Sequence, residues 1–315
     1  MEIYKSLKNF NPLNKSVITI GSYDGLHRGH FQIINRVQTL AESINSDSVV
    51  ITFDPHPRHV IKSDGKNIEL IMSMQKKTEI IRTLKIDKLI ILNFSNSFRK
   101  ISADEFMSDL ILKYFNPKYI VAGSNHTFGY KREGDSKFLS KYCQRKEIGL
   151  EIVKPLKDGD VIISSTNIRK LIINGFIRRA NFELGSIFGF SAKVVHGSGR
   201  GKGLDFPTAN LVPIEKRQLL PKKGVYFTRC IINGLNHYGM CNFGIRPTFG
   251  EDDLVLEVHL LNNYSKDIYN DIVWIEFLER IRSEVKFSSV NELTEQLYKD
   301  KNESLILKDK YELGG

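Results

Sequence analysis

Along the first 185 residues, short continuous apolar runs alternate with longer stretches of helical spacing. The runs lie at 17–20, 48–53, 89–93 and 119–122 and are rich in Val, Ile and Leu. Unbroken apolar runs of this kind predict strands covered on both faces, as in a parallel sheet. After the first run, Ile33, Ile34, Val37, Leu40 and Ala41 fall on one face of a predicted helix. Ser102 to Glu105 has capping-box spacing, and Met107, Leu110, Ile111 and Tyr114 follow on one helical face. Alternating β and α elements predict a doubly wound α/β domain, with its ligand edge at the carboxyl ends of the strands.

Beyond Gly185 the texture changes. Residues 190–280 are glycine-rich, with short alternating segments and little helical periodicity. Leu254, Leu256, Val258 and Leu260 alternate with Val255, Glu257, His259 and Leu261, a half-buried strand pattern. Residues 226–232 and 268–277 also read as strands, and Ser289 to Glu292 has the spacing of a second capping box, opening a helix through Leu293 and Leu297. This half predicts a small antiparallel barrel closed by a C-terminal helix. The domain boundary is placed near 185 on this change alone.

Composition narrows the class. The 315 residues fit two domains, and no apolar stretch approaches the ~18 residues of a membrane span. Residues 1–5 lack a signal-peptide pattern, and Cys143, Cys230 and Cys241 are too far apart for a disulfide framework or zinc motif. A reducing, cytoplasmic location without a membrane partner is expected. The net charge of +10 raises nucleic acid as a partner. The basic residues are scattered among acidic ones, however, as at Lys131-Arg132-Glu133 and 280–284, and no recognition-helix or aromatic RNA-binding pattern accompanies them. Polyanionic small substrates suit this surface better.

Residues 21–30 place His27 and His30 between the first predicted strand and the first helix. Free backbone N–H groups and the helix dipole favour a phosphate there, and Gly25 and Gly29 let the backbone approach it. Two imidazoles can donate to phosphate oxygens, which suits nucleotidyl transfer. The alternative, half of a metal site, lacks a third donor at ligand-like spacing. Ser164, Ser165 and Thr166 precede a short helix with Arg169 in its first turn, either an ordinary cap or a second phosphate cradle. Phe53 to Pro57 ends a strand stiffened by Pro55 and Pro57, as a pocket wall or simply a rigid loop. Residues 123–129, with Asn125 and Phe128, follow another strand on the ligand edge. In the second half, Gly197, Gly199, Arg200, Gly201 and Lys202 read as a basic flap for phosphates, or as a flexible connector. Thr208 and Asn210 offer oxygen ligands suited to Mg²⁺.

In this order the segments resemble the prokaryotic bifunctional riboflavin kinase/FAD synthetase family, over the length of the chain. Residues 21–30, 53–57, 123–129 and 163–169 are similar to its adenylyltransferase module. The glycine flap with 206–211, residues 242–250, 256–259 and 277–282 are similar to its kinase module. Two positions depart: His126 stands where the family usually has Phe, and Asp205 where it usually has Gly. A carboxylate at 205 would repel ATP phosphates, or cost the turn a glycine-only angle.

The resemblance implies a Rossmann-like nucleotidyltransferase domain at 1–185, making FAD from FMN and ATP, and a riboflavin kinase barrel at 186–315. It implies ATP contacts in the first domain from Gly21, Tyr23, Asp24, Gly25, His27, His30, Ser164, Ser165, Thr166 and Arg169. Flavin contacts there would come from Phe53, Pro55, Pro57, Asn125 and Phe128. In the kinase, Pro207, Asn242 and Arg282 join the flap around the nucleotide. Glu257, on the strand face opposite Leu256 and Val258, becomes the general base for the riboflavin 5′-hydroxyl. His27, His30 and Arg169 act by positioning and charge stabilisation. The expected molecule uses Mg²⁺, ATP, riboflavin and FMN, binds no nucleic acid, and is a monomer or weak homo-oligomer. Two other readings stay open: an adenylyltransferase with a weak or silent kinase domain, and a flavin-binding regulatory protein.

Overall fold

The computed structural model describes residues 1–61, 68–197, 206–248, 251–262 and 268–313, with side chains at 245–248 and 251–254 left aside. By packing, the chain divides into two compact units, Met1–Ser165 and Thr166–Gly315.

The first unit is built on six parallel strands: β1 (Glu2–Tyr4), β2 (Ser16–Ile20), β3 (Asp47–Asp54), β4 (Lys88–Asn93), β5 (Pro117–Gly123) and β6 (Gly149–Val153), in the order β1-β4-β3-β2-β5-β6. The four predicted strands are the four central ones. The missed pair, β1 and β6, are edge strands with only partial burial, so neither needs a continuous apolar run. Alternate residues of each central strand feed two cores. Val17, Val50, Leu89, Ile91 and Val121 pack under α1 (Arg28–Ser43) and the helix Met74–Thr83. Ile18, Val49, Ile51, Ile90 and Ile120 pack under helical segments 103–115 and the helix Ser136–Arg145. The expected doubly wound arrangement is therefore present. The Ser102 capping box is also present, with Ser102 Oγ accepting from Glu105 N at 3.2 Å and Glu105 Oε2 from Ser102 N at 2.9 Å. Continuing that helix, Phe106–Leu112 is π-helical.

In the second unit a closed barrel holds β9 (Gly189–Val195), β10 (Ala209–Pro213), β11 (Gly224–Ile232), β12 (Leu235–Thr248), β13 (Glu251–Leu260) and β14 (Ile272–Arg282), after a small ribbon of β7 (Lys157–Asp158) and β8 (Val161–Ile162) in the first unit. Every barrel pairing is antiparallel, in the order β10-β13-β12-β11-β14-β9. Closure leaves no strand edge open to another chain. The last strand starts at 272, four residues later than the sequence pattern suggested.

Two helices, Ser165–Ile173 and Ile177–Leu184, pack on the barrel. Asn181 Nδ2 donates to Phe277 O at 2.9 Å, Asn181 Oδ1 accepts from Phe188 N at 2.8 Å, and Lys222 N donates to Ile172 O at 3.2 Å. The packing division consequently falls some twenty residues before the change of sequence texture at Gly185. The C-terminal helix, Val290–Leu313, begins with Ser289 Oγ accepting from Glu292 N at 3.2 Å. The reciprocal arm of this cap differs from the expected box, because Glu292 Oε2 accepts from Ser288 N instead.

That helix is tied to the barrel by charge. Arg282, at the end of β14, donates to both carboxylate oxygens of Asp300, with distances of 2.6, 2.8 and 3.0 Å, and Asp300 is 2 % exposed. A planar guanidinium fork on a buried carboxylate is the strong form of an ion pair. Asp300→Ala would strand the arginine and is expected to destabilise the second unit by about 3 kcal/mol, read from chemical denaturation.

Candidate active sites

The first site forms where β2 turns into α1. His27 is the N-cap residue, and its side chain makes no hydrogen bond to the first turn of the helix. Three residues of the turn have positive φ: Tyr23 (45°), Gly25 (81°) and Leu26 (39°). Such angles are cheap only for glycine, so surrounding contacts must hold the other two. They are visible. Thr19 Oγ1 donates to Val121 O at 2.6 Å, which leaves it to accept from Tyr23 OH at 2.7 Å. The Asp24 carboxylate accepts from Ile71 N at 3.2 Å. Lys77 Nζ donates to Ser22 O at 2.6 Å. A Cβ on Gly21 would sit 2.7 Å from the Tyr23 ring, so glycine is required beneath it.

Predicted ATP residues therefore divide by what they touch. Tyr23 and Asp24 are 3 % and 2 % exposed, and their side chains prop the turn from behind. His27 and His30 stack face to face, with ring centroids 3.6 Å apart and planes 18° apart. The Nδ1 atoms of both rings are buried without a hydrogen-bond partner. Burial pushes the His27 pKa down to about 4 and holds His30 well below the usual imidazole range, so both rings are neutral at pH 7. The contribution expected of them is thus N–H donation rather than a formal charge.

Ser165, 141 residues further along the chain, donates its hydroxyl to Asp24 O at 2.8 Å. That bond joins the two segments that the sequence shows only as separate candidate phosphate motifs. Thr166 and Arg169 continue into the helix Ser165–Ile173, and Ser164 is half-buried just before it.

Of the predicted flavin residues, Phe53 and Phe128 are 9 % exposed and belong to one of the sheet's cores. Phe53 lies edge-on to Phe94 at 5.6 Å, and Phe128 packs against Phe106 at 5.4 Å. Pro55, which follows a cis peptide bond, and Asn125 are exposed, while Pro57 is half-buried at the start of the short helix Pro57–Val60. His126 stacks on Phe128, with centroids 5.6 Å apart, and burial lowers its pKa to about 4. A neutral, flat imidazole thus occupies the position of the usual phenyl ring.

The second site is set by barrel register. Asn210 of β10 pairs with Glu257 of β13, which pairs with Asn242 of β12; Asn242 pairs with Val225, which pairs with Arg282. Cross-strand partners share a face, so these five residues, four of them predicted site residues separated by up to 72 positions, form one row. It lies on the face opposite the buried row of Val258, Cys241 and Tyr226. Asn210 is buried, Glu257 half-buried and Asn242 exposed, an access gradient leading to the carboxylate. A Cβ on Gly197 would fall 1.9 Å from Asn210 Nδ2, so this glycine gives the amide its room. Arg282 is committed to Asp300, which makes its visible role that of an anchor for the C-terminal helix. Gly199, Arg200, Gly201 and Lys202 lie outside the described residues, as does Asp205.

Sequence reasoning missed His259 as a positioning group. Its Nδ1 donates to Pro207 O at 2.9 Å, and its ring packs on Phe206 at 5.1 Å, fixing the backbone just before Thr208 and Asn210. In the sequence, His259 shows only as part of a strand pattern and of the 256–259 segment that resembles the kinase module. Thr208 and Asn210 supply hydroxyl and amide oxygens, hard donors of the kind that suit Mg²⁺ with water completing the shell. Among the described residues no cluster of three or more His, Cys, Asp or Glu side chains offers a denser metal site.

Comparison with known proteins matches both halves. A family model for FAD synthetase covers residues 10–167, and one for riboflavin kinase covers 184–306. The bifunctional riboflavin kinase/FMN adenylyltransferase of Bacillus subtilis (strain 168) is 35% identical over 294 residues, covering 92% of each chain. That of Escherichia coli (strain K12) is 32% identical, covering 95% of this chain and 96% of its own. A Streptococcus pneumoniae structure described as a macrolide-efflux protein is 30% identical with a TM-score of 0.84, covering 95% of this chain and 97% of that one. No helix among the described residues is long and apolar enough to cross a membrane. With its two matched modules in this order, the chain belongs to the bifunctional riboflavin kinase/FMN adenylyltransferase family.

Proposed function

We propose that this chain makes FAD in two ATP-dependent steps, with FMN adenylyltransferase activity in residues 1–185 and riboflavin kinase activity in 186–315. The observation that carries the first assignment is the Ser165–Asp24 bond, which unites both phosphate motifs at one strand-to-helix turn. In the kinase step, the riboflavin 5′-oxygen bonds to the γ-phosphorus of ATP as the bond to ADP breaks, and Glu257 accepts the hydroxyl proton. Thr208 and Asn210 would hold Mg²⁺, which supplies charge neutralisation at the transferring phosphate. In the second step, an FMN phosphate oxygen bonds to the α-phosphorus of another ATP and pyrophosphate leaves. The nucleophile is already anionic, so His27, His30 and Arg169 orient the phosphates and stabilise developing charge. The flavin lies along Phe53 to Pro57 and Asn125 to Phe128.

The same reading places the enzyme in the cytoplasm as a monomer or weak homo-oligomer, without nucleic acid or membrane as a partner. The scattered basic residues and three buried free thiols, Cys143, Cys230 and Cys241, support it.

His30→Ala is expected to abolish FAD formation from FMN and leave riboflavin phosphorylation intact, as separated by chromatography of the three flavins. Glu257→Gln should do the reverse; loss of both activities from either change would refute two independent sites. Neutral imidazoles also set a pH dependence. As pH falls below 6.5 an unfolded chain protonates its histidines, whereas folded His27 and His126 wait until about pH 4. The folded state then binds fewer protons, so stability should drop between pH 6.5 and 4 and level off below. Denaturation midpoints across that range test the sign. Adenylyl transfer should show no imidazole break at pH 6.5.

A further inference from the structure

Helix Met74–Thr83 carries two adjacent lysines in different surroundings. Lys76 reaches Glu79 at 3.3 Å on the outer side. Lys77 points inward and is 4 % exposed. Lysine is almost never buried this deeply without partners, because removing an ammonium from water costs several kcal/mol. Methionine would fill similar space without that cost, so the charge itself must do something a hydrocarbon stem cannot.

Its surroundings show what. Nζ donates to Ser22 O at 2.6 Å, inside the turn that presents His27 and His30. The hydroxyl of Thr52, on β3, reaches the same carbonyl at 3.4 Å. The carboxylates of Asp24, in the turn, and Asp54, at the carboxyl end of β3, favour the charged ammonium. Burial acts against them and leaves the pKa at about 8. Toward α1 the ammonium faces His30 and helps hold that ring neutral. One buried cation therefore touches the ATP turn and feels the carboxylate that opens the flavin segment.

We infer that Lys77 is a positioning residue for adenylyl transfer: its ammonium, favoured by the Asp24 and Asp54 carboxylates, pins the Ser22 carbonyl and so holds the 21–30 turn in its reactive geometry. The inference rests on ATP binding at that turn, as proposed above. It acts through the backbone, so its loss should slow the reaction more than it weakens ATP binding.

The test uses the full chain with Lys77→Met, Lys77→Ala and His30→Ala side by side. For Lys77→Met, kcat for FAD formation should fall roughly 10- to 100-fold, with a smaller change in KM for ATP. The unfolding midpoint should hold or rise, and riboflavin phosphorylation should be unchanged. Lys77→Ala should regain part of its lost kcat when ethylammonium is added to fill the cavity. Unchanged kcat in Lys77→Met overturns the inference. So does a fall in kcat that accompanies a lowered midpoint and that ethylammonium does not restore. Should His30→Ala retain FAD formation, the ATP assignment fails instead, and the two failures are told apart.

Discussion

Everything in the first unit's chemistry depends on a turn that must hold two non-glycine residues, Tyr23 and Leu26, at positive φ. Each such angle costs on the order of 1–3 kcal/mol, so the turn cannot be a loose connector. It is held from four directions: by Thr19 on its own strand, by Ile71 beyond β3, by Lys77 from a helix and by Ser165 from far along the chain. The result is a helix N-terminus with two stacked, largely buried and neutral imidazoles at a fixed spacing. On the proposed reading, a phosphate at this turn finds donors already oriented, which is where electrostatic catalysis gains over water.

The barrel solves a similar problem by register instead of strain. Asn210, Glu257 and Asn242 meet because three antiparallel strands are aligned so that their outward faces coincide. A slip of one residue in β13 would turn Glu257 inward and Val258 outward, losing the core and displacing the proposed base. The buried row of Val258, Cys241 and Tyr226 resists that slip, since each of its members is at most 1 % exposed. Packing energy in the core thus specifies where the carboxylate stands. His259 adds a local anchor by holding Pro207, and Arg282 spends its fork on Asp300, a structural use of a residue that the motif alone assigns to nucleotide.

Much of this was legible beforehand, for reasons visible in particular residues. Central strands showed as apolar runs because both faces are covered, whereas β1 and β6 were silent because edges are only half covered. Ser102 and Glu105 announced a helix start because the cap is a contact between near neighbours. Lys77 was invisible, since a lysine in a helix reads as surface until a fold surrounds it. Tyr23 and Phe128 showed the opposite limit: their motifs marked them as important, yet their rings sit behind the site or within the core.

By itself the sequence determined the two architectures, the order of the modules and the residue types offered at each candidate site. Those follow from periodicity, caps and short motifs, all of which are properties of residues close together along the chain. Tertiary structure decided which residues meet: Ser165 with Asp24, Lys77 with Ser22, Glu257 between two asparagines, Arg282 with Asp300. It also decided protonation, because an imidazole's pKa depends on how much water the surrounding fold excludes, and no local pattern encodes that.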